Sequence, residues 1–261
     1  MRVRAFISPK GAETENDCQD RFSINPETGS VAVSDGMSQS LFPKYWAEIL
    51  SRKYTSGTDW TPSHESVRPL GDLWREKVEG RLERMREDGR STWRTENMLS
   101  DGLSAGATLV GVRTDREGWR CDVLGDSCLV VLREGRIVGI HSSMDTDSFG
   151  NYPDYFDSDP GKTGRGEVRT IRGSWEDSQV MLLVTDPLAG FLSSVRGSDR
   201  EKVVLGELLS VESSDEFGIL VDYLREDGMH DDDTTMVVLT CDCEEVEEPF
   251  NRQEDWIWQP R

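Results

Sequence analysis

Five aspartates in this chain each sit beside a short apolar run. Asp35 closes Val31-Ala32-Val33, Asp126 follows Val123-Leu124-Gly125, and Asp186 follows the stretch from Val180 to Val184. Asp20 precedes Phe22-Ser23-Ile24, and Asp232 precedes Met236-Val237-Val238-Leu239. Such runs read as buried strands. Carboxylates at strand ends can converge on one edge of a sheet system, where they repel one another unless a cation sits among them. A donor set made only of oxygen selects a hard divalent ion.

The elements that must position these aspartates are legible around them. Residues 1–35 read as strands, with Asn25-Pro26-Glu27-Thr28-Gly29 as a hairpin loop. Pro43 suits a first helical position, and Trp46, Ile49, Leu50 and Lys53 share one face of a helix over 43–54. Residues 55–65 read as loop. A second helix over 70–86 has Leu70, Leu73, Trp74, Val78, Leu82 and Met85 in its apolar stripe, ending at Asp88-Gly89.

Strands are expected at 108–112, 119–124, 128–132 and 136–140, with Glu134-Gly135 as a tight turn between the last two. Residues 141–168 read as a long surface loop. A strand over 180–184 precedes two helices with capping-box signatures, Ser198 with Glu201 and Ser213 with Glu216, and a last strand covers 235–240. Strands and helices come in blocks, which indicates α+β rather than a doubly wound sheet.

Composition narrows the function. The formal net charge is −20, from 30 basic and 50 acidic residues. That balance disfavours nucleic acid and anionic membranes, and favours cations or basic partners. No apolar run reaches membrane-spanning length, and the five cysteines follow no disulfide or zinc-finger spacing. Cys241-Asp242-Cys243 lacks a second pair or a histidine at metal spacing. The expectation is a reduced, cytoplasmic, soluble protein. Asp145 to Gly150 begins like a calcium loop, but Phe156 stands where the bidentate acid belongs, so that reading fails.

Taken singly, each acidic site has an ordinary explanation. Asp35-Gly36 and Asp186-Pro187 are common turns, and Asp231-Asp232-Asp233 could be a solvated charge run. Their order is more specific. It runs Gln-Asp-Arg-Phe, Val-Ser-Asp-Gly-Met, Gly-Ala-Thr, Gly-Asp-Ser, Val-Thr-Asp and Asp-Asp-x-Thr-x-Val-Val. This set resembles the PPM-type metal-dependent protein phosphatases, the type 2C serine/threonine phosphatases, in their bacterial form. The resemblance covers about residues 5–240.

The resemblance implies a four-layer sandwich, two antiparallel β-sheets face to face with helices outside, and a metal centre at one edge. It implies that residues 1–243 form the phosphatase domain. Beyond it, 244–261 read as an acidic, tryptophan-containing tail whose Trp256 and Trp258 could anchor a partner or fold back on the domain, with folding back the expectation. It assigns Asp20, Asp35, Asp186 and Asp232 to catalysis. Asp35 would bridge two Mg²⁺ or Mn²⁺ ions, with Gly36 offering its carbonyl. Asp186 and Asp232 would complete the first shell, and Asp20 would act through water. Asp126, with Asp186, would support a third ion. Asp233 would back a ligand. Two such ions, about 3.5–4 Å apart, acidify a bridging water and clamp phosphate oxygens, so hydroxide attacks phosphorus with no side-chain nucleophile. The implied partners are a phosphoserine or phosphothreonine protein and a cognate kinase or its targets, with the chain monomeric.

Several family features are missing. Met37 replaces the histidine of the animal enzymes, Ser38 and Gln39 replace two glycines, and Pro187 replaces another. Glu15 stands where a phosphate-holding arginine is usual, with Lys10 and Arg21 both open as substitutes. Pro187 should bias Asp186 toward an extended backbone. These departures keep a second reading open, a pseudophosphatase that binds metal or phosphoprotein as a regulatory module. Cys18, beside acidic residues, is expected to have a raised pKa and no chemical role. His64, His141 and His230 are expected in loops.

Overall fold

The computed structural model describes residues 2–11, 13–14, 16–115, 117–145, 149, 152–175 and 179–240. Two five-stranded antiparallel sheets form the centre. The first contains β1 (Arg2–Ser8), β7 (Cys128–Arg133), β8 (Arg136–His141), β11 (Gln179–Val184) and β12 (Thr234–Thr240), in the order β1-β12-β11-β7-β8. The second contains β2 (Arg21–Asn25), β3 (Ser30–Ser34), β5 (Leu109–Thr114), β6 (Trp119–Leu124) and β10 (Arg169–Gly173), in the order β10-β6-β5-β3-β2.

Alternation along the strands explains the layers. Val31, Val33, Val110, Val112 and Val123 point inward and pack against Leu129, Val131, Met181, Leu183 and Val237 of the other sheet. The opposite face of the first sheet, including Val130, Leu182 and Val238, packs on α5 (Asp186–Val195), α6 (Glu201–Ser210) and α7 (Ser214–Glu226). The outer face of the second sheet packs on α1 (Pro43–Thr55) and α3 (Gly71–Glu87), through Trp46, Leu50, Tyr54, Trp74 and Val78. The result is the expected α+β sandwich of four layers, helices outside two sheets.

Boundaries near the expected ones reflect strong local signals. Glu134 and Gly135 have φ of 50° and 69°, the left-handed pair that a tight hairpin between β7 and β8 demands. Other expectations need correction. Leu73 sits on the outward side of α3 and is 48% exposed. The loop at 55–65 gives way to a short α2 (His64–Val67), and α4 (Trp93–Ser100) was not expected. Within 141–168, β9 (Phe156–Asp157) pairs with β4 (Gly106–Ala107). The edge strand β10 shows no apolar alternation, so its sequence carries no strand signal.

Three helices, not two, follow β11. Asp186 opens α5, with Pro187 in the first turn, so the proline starts a helix rather than extending Asp186. The box at Ser198 does not form. Arg200 precedes α6, and the buried Glu201 carboxylate accepts instead from the Ile137 N–H at 2.6 Å and the Gly197 N–H at 2.5 Å, tying α6 to β8. Ser213 does cap α7, accepting from the Glu216 N–H at 3.2 Å. His64 opens α2 and His141 ends β8, while His230 is an exposed loop residue. Residues 241–261, including Cys241, Cys243, Trp256 and Trp258, lie outside the described residues, as do Glu15 and much of the stretch from Asp145 to Gly150.

Candidate metal centre

Strand pairing brings the aspartates to one end of the sandwich. Arg21 pairs with Ser34 across β2 and β3, so Asp20 and Asp35 leave that hairpin side by side. Val184 pairs with Met236 across β11 and β12, which places Asp186 beside the 231–233 turn. The two sheets are stitched together at Asp20. This residue precedes β2, yet its Oδ2 accepts from Thr185 Oγ1 at 3.0 Å and Thr235 Oγ1 at 2.7 Å, on the other sheet. The Thr108 hydroxyl donates toward or accepts from Ser127 at 2.7 Å and accepts from the Asp35 N–H at 3.2 Å, linking the Asp35 loop to the Asp126 turn.

Gly36 passes through a narrow gap. A Cβ there would lie 2.9 Å from the Pro43 carbonyl carbon and 3.0 Å from the Gln19 oxygen. Only a glycine backbone fits without displacing α1 or the chain leading to Asp20. Met37 is turned to packing, since a Cβ on Gly106 would meet its sulfur at 2.5 Å.

The electrostatics follow from crowding. Burial, with the charges of Asp126 and Asp232, pushes the Asp35 carboxyl up to about 7. Burial, then Asp35 and Asp126, raises Asp186 well above the usual range. Burial, then Asp35 and Asp233, does the same to Asp20, against the pull of the Thr235 and Thr185 hydroxyls. Asp20 is fully buried, and its Oδ1 has no hydrogen-bond partner among the described residues. At neutral pH these groups either share protons or gather a cation.

Asp233 is 4% exposed and accepts from the Lys10 N–H at 3.0 Å and the Gln19 N–H at 2.7 Å. Burial pulls the Lys10 ammonium down, but Asp232, Asp233 and Glu13 outweigh it and its pKa is raised. Cys18 is buried and raised by that burial, then by Asp20, as a bystander should be. Sequence reasoning passed over Thr185 and Thr235, although both stand inside motifs it used, Val-Thr-Asp and Asp-Asp-x-Thr.

Among the described residues, no three acidic, histidine or cysteine side chains close directly on one point. Mg²⁺ and Mn²⁺ do not require that, because they keep several waters and take few carboxylates. The all-oxygen donors, the buried Asp20 oxygen and the mutually raised carboxyls fit such ions. A groove of about 700 Å³ lies elsewhere, between α1 and α3, lined by Tyr45, Leu70, Lys77 and Arg84. It contains none of the clustered aspartates, so the carboxylate edge is the better site.

No protein-family model matches the sequence, and no curated protein matches it. Solved structures do match. The catalytic domain of the serine threonine protein phosphatase PstP, in complex with 2 manganese ions, aligns with a TM-score of 0.55 at 16% identity, over 91% of this chain and 96% of that one. Stp1 from Staphylococcus aureus aligns at 0.55 with 13% identity, over 93% and 96% of the two chains. The serine/threonine phosphatase of S. agalactiae aligns at 0.54 with 15% identity, over 92% and 100%. At these identities the likeness is one of fold. This chain has the PPM-type phosphatase fold, in the form seen in bacterial serine/threonine phosphatases.

Proposed function

We propose that the chain is a PPM-type, Mg²⁺- or Mn²⁺-dependent phosphoprotein phosphatase acting on phosphoserine and phosphothreonine. The observation that carries this is the meeting of Asp20, Asp35, Asp126, Asp186 and Asp232 at the end of a sandwich with that fold. In this reading Asp35 would be shared by two ions, Gly36 would offer its carbonyl, and Asp186 and Asp232 would complete the set. Asp20, held in place by Thr185 and Thr235, would act through water. Asp126 and Asp186 would support a third ion. When bound, the ions supply an acidified water and charge for the phosphate oxygens. The protein's own part is to fix the carboxylates, keep them ionised around the cation, and leave one side open to solvent. Residues 1–243 form the catalytic unit, 244–261 an appended tail, and the protein works in the cytoplasm as a monomer. Its partners are a phosphoprotein and the kinase that opposes it.

Of the departures that favour a pseudophosphatase, Pro187 loses its weight because it begins α5. Met37 keeps its weight, since it packs on Gly106. Hydrolysis of an aryl phosphate with and without Mn²⁺, on wild type and Asp186→Asn, decides between the readings. The phosphatase reading expects Mn²⁺-stimulated turnover that Asp186→Asn abolishes. Metal-loaded protein that binds phosphopeptide without turnover would establish the binding module instead.

Gly36→Ala should lower kcat by about ten- to a hundredfold, the scale expected when reacting groups shift by about an ångström. Gly57→Ala, where an added Cβ meets nothing within 4 Å, is the control and should leave turnover unchanged. Equal rates for the two variants would mean that the Asp35 loop does not need its close approach.

A further inference from the structure

A phosphate ester approaching this site meets an edge of carboxylates, and ions held inside the cluster would leave part of its charge facing solvent. The outer oxygens need a cation at the solvent side. The exposure of the acids shows where that side is. Asp20 is 0% exposed and Asp126 1%, whereas the Asp232 side chain is 36% exposed. Lys10 stands at that lip, its ammonium 3.9 Å from Asp232 Oδ1 and 3.6 Å from Glu13 Oε1.

We propose that Lys10 holds the phosphate group of the substrate against the carboxylate cluster. This rests on the phosphatase reading given above. Neither ion-pair distance is short enough for a hydrogen bond, so the N–H donors of Lys10 are not spent on those carboxylates. Its backbone is fixed to the acidic turn. The Lys10 N–H donates to Asp233 Oδ1 at 3.0 Å and the Gly11 N–H to Asp231 Oδ1 at 2.9 Å. Arg225 clamps the same two segments, donating to the carbonyls of Pro9 and Asp232 at 2.9 Å each. The root of the lysine is therefore fixed relative to Asp232, while its side chain is partly exposed at the lip. Arg21, the other candidate cation, donates instead to the carbonyls of Cys18 and Asp20 and serves the backbone.

The test compares wild type, Lys10→Ala and Lys10→Arg, all loaded with Mn²⁺. Inhibition by inorganic phosphate, KM and kcat for an aryl phosphate, and Mn²⁺ affinity by calorimetry are read separately. Lys10→Ala should raise both KM and the phosphate inhibition constant by about tenfold, as loss of a charge-assisted hydrogen bond does. It should leave kcat within about threefold, the pattern of lost uniform binding. Lys10→Arg should restore most of the affinity. If Lys10 were only a counter-charge for Asp232, Lys10→Ala would tighten Mn²⁺ binding and leave phosphate inhibition unchanged, which overturns the proposal. Should wild type prove inactive, calorimetry of inorganic phosphate on the Mn²⁺-loaded protein replaces the kinetics. Binding that depends on Lys10 would then keep this inference while removing the hydrolase reading. Binding indifferent to Lys10, or none at all, would remove the inference.

Discussion

Asp35→Asn should abolish metal-dependent turnover, by about a thousandfold or more, and should also raise the melting temperature of the metal-free protein. The two effects share one cause. Without a cation, Asp35 is held among Asp20, Asp126 and Asp232, and burial with those charges lifts its carboxyl to about 7. An unfolded aspartate titrates near 4, so the folded protein binds the extra proton between those values. Stability of the metal-free protein therefore falls as pH rises from about 4 to about 7, by a few kcal/mol for a shift of this size. Asparagine removes the charge and with it that loss. Thermal unfolding at pH 5 and pH 8, with chelator and with Mn²⁺, reads the result. Wild type should melt lower at pH 8 with chelator and gain most from Mn²⁺ there, because the ion displaces the proton. Asp35→Asn should show a smaller fall and a smaller gain, since Asp20 and Asp186 stay buried and raised. A metal-free Asp35→Asn that melts below wild type at pH 8 would contradict the repulsion on which the site is built.

Trp46→Ala should cost about 3–5 kcal/mol of stability, the scale for deleting a buried tryptophan. Trp46 is 0% exposed, packs between α1 and the second sheet, and donates its indole N–H to the Phe156 carbonyl at 2.8 Å. Alanine leaves both a cavity and an unpaired carbonyl. The consequence reaches the site, because Pro43 at the start of the same helix abuts Gly36. A urea titration should show the unfolding midpoint shifted strongly downward. Trp93, 69% exposed, supplies the comparison, and Trp93→Ala should change stability by no more than about 0.5 kcal/mol. Similar midpoints for the two variants would mean that α1 is not anchored through Trp46.

The contrast between the two tryptophans also shows what the sequence could reveal. Apolar runs closed by aspartate are a one-dimensional signal, and the sheets follow from them because alternation and strand ends are local properties. Trp46 was legible for the same reason, as part of a helical stripe. Glu201 was not. Its position three residues after Ser198 imitates a cap, but the Ile137 N–H that claims it lies 64 residues away in sequence. The start of α5 was hidden by Pro187, which marks a helix entry as readily as an extended residue. The edge strand β10 pairs with β6 and ties to it through the Thr170 hydroxyl, which donates to Asp122, but its side chains are mostly polar and exposed and show no alternation. At the site, the acids were visible as types and spacings, whereas the choice between Lys10 and Arg21 needed their hydrogen-bond partners.

The central claim is that this carboxylate edge is a metal centre, and Mn²⁺ titration by calorimetry of the purified protein tests it most directly. Run near pH 7 in two buffers of different ionisation enthalpy, it should show saturable binding accompanied by proton release, because ions must displace the protons that Asp20, Asp35 and Asp186 retain. Asp35→Asn should lose most of that heat. Wild type that takes up no Mn²⁺ at millimolar concentration, or binds it with no proton released and no dependence on Asp35, would contradict the account.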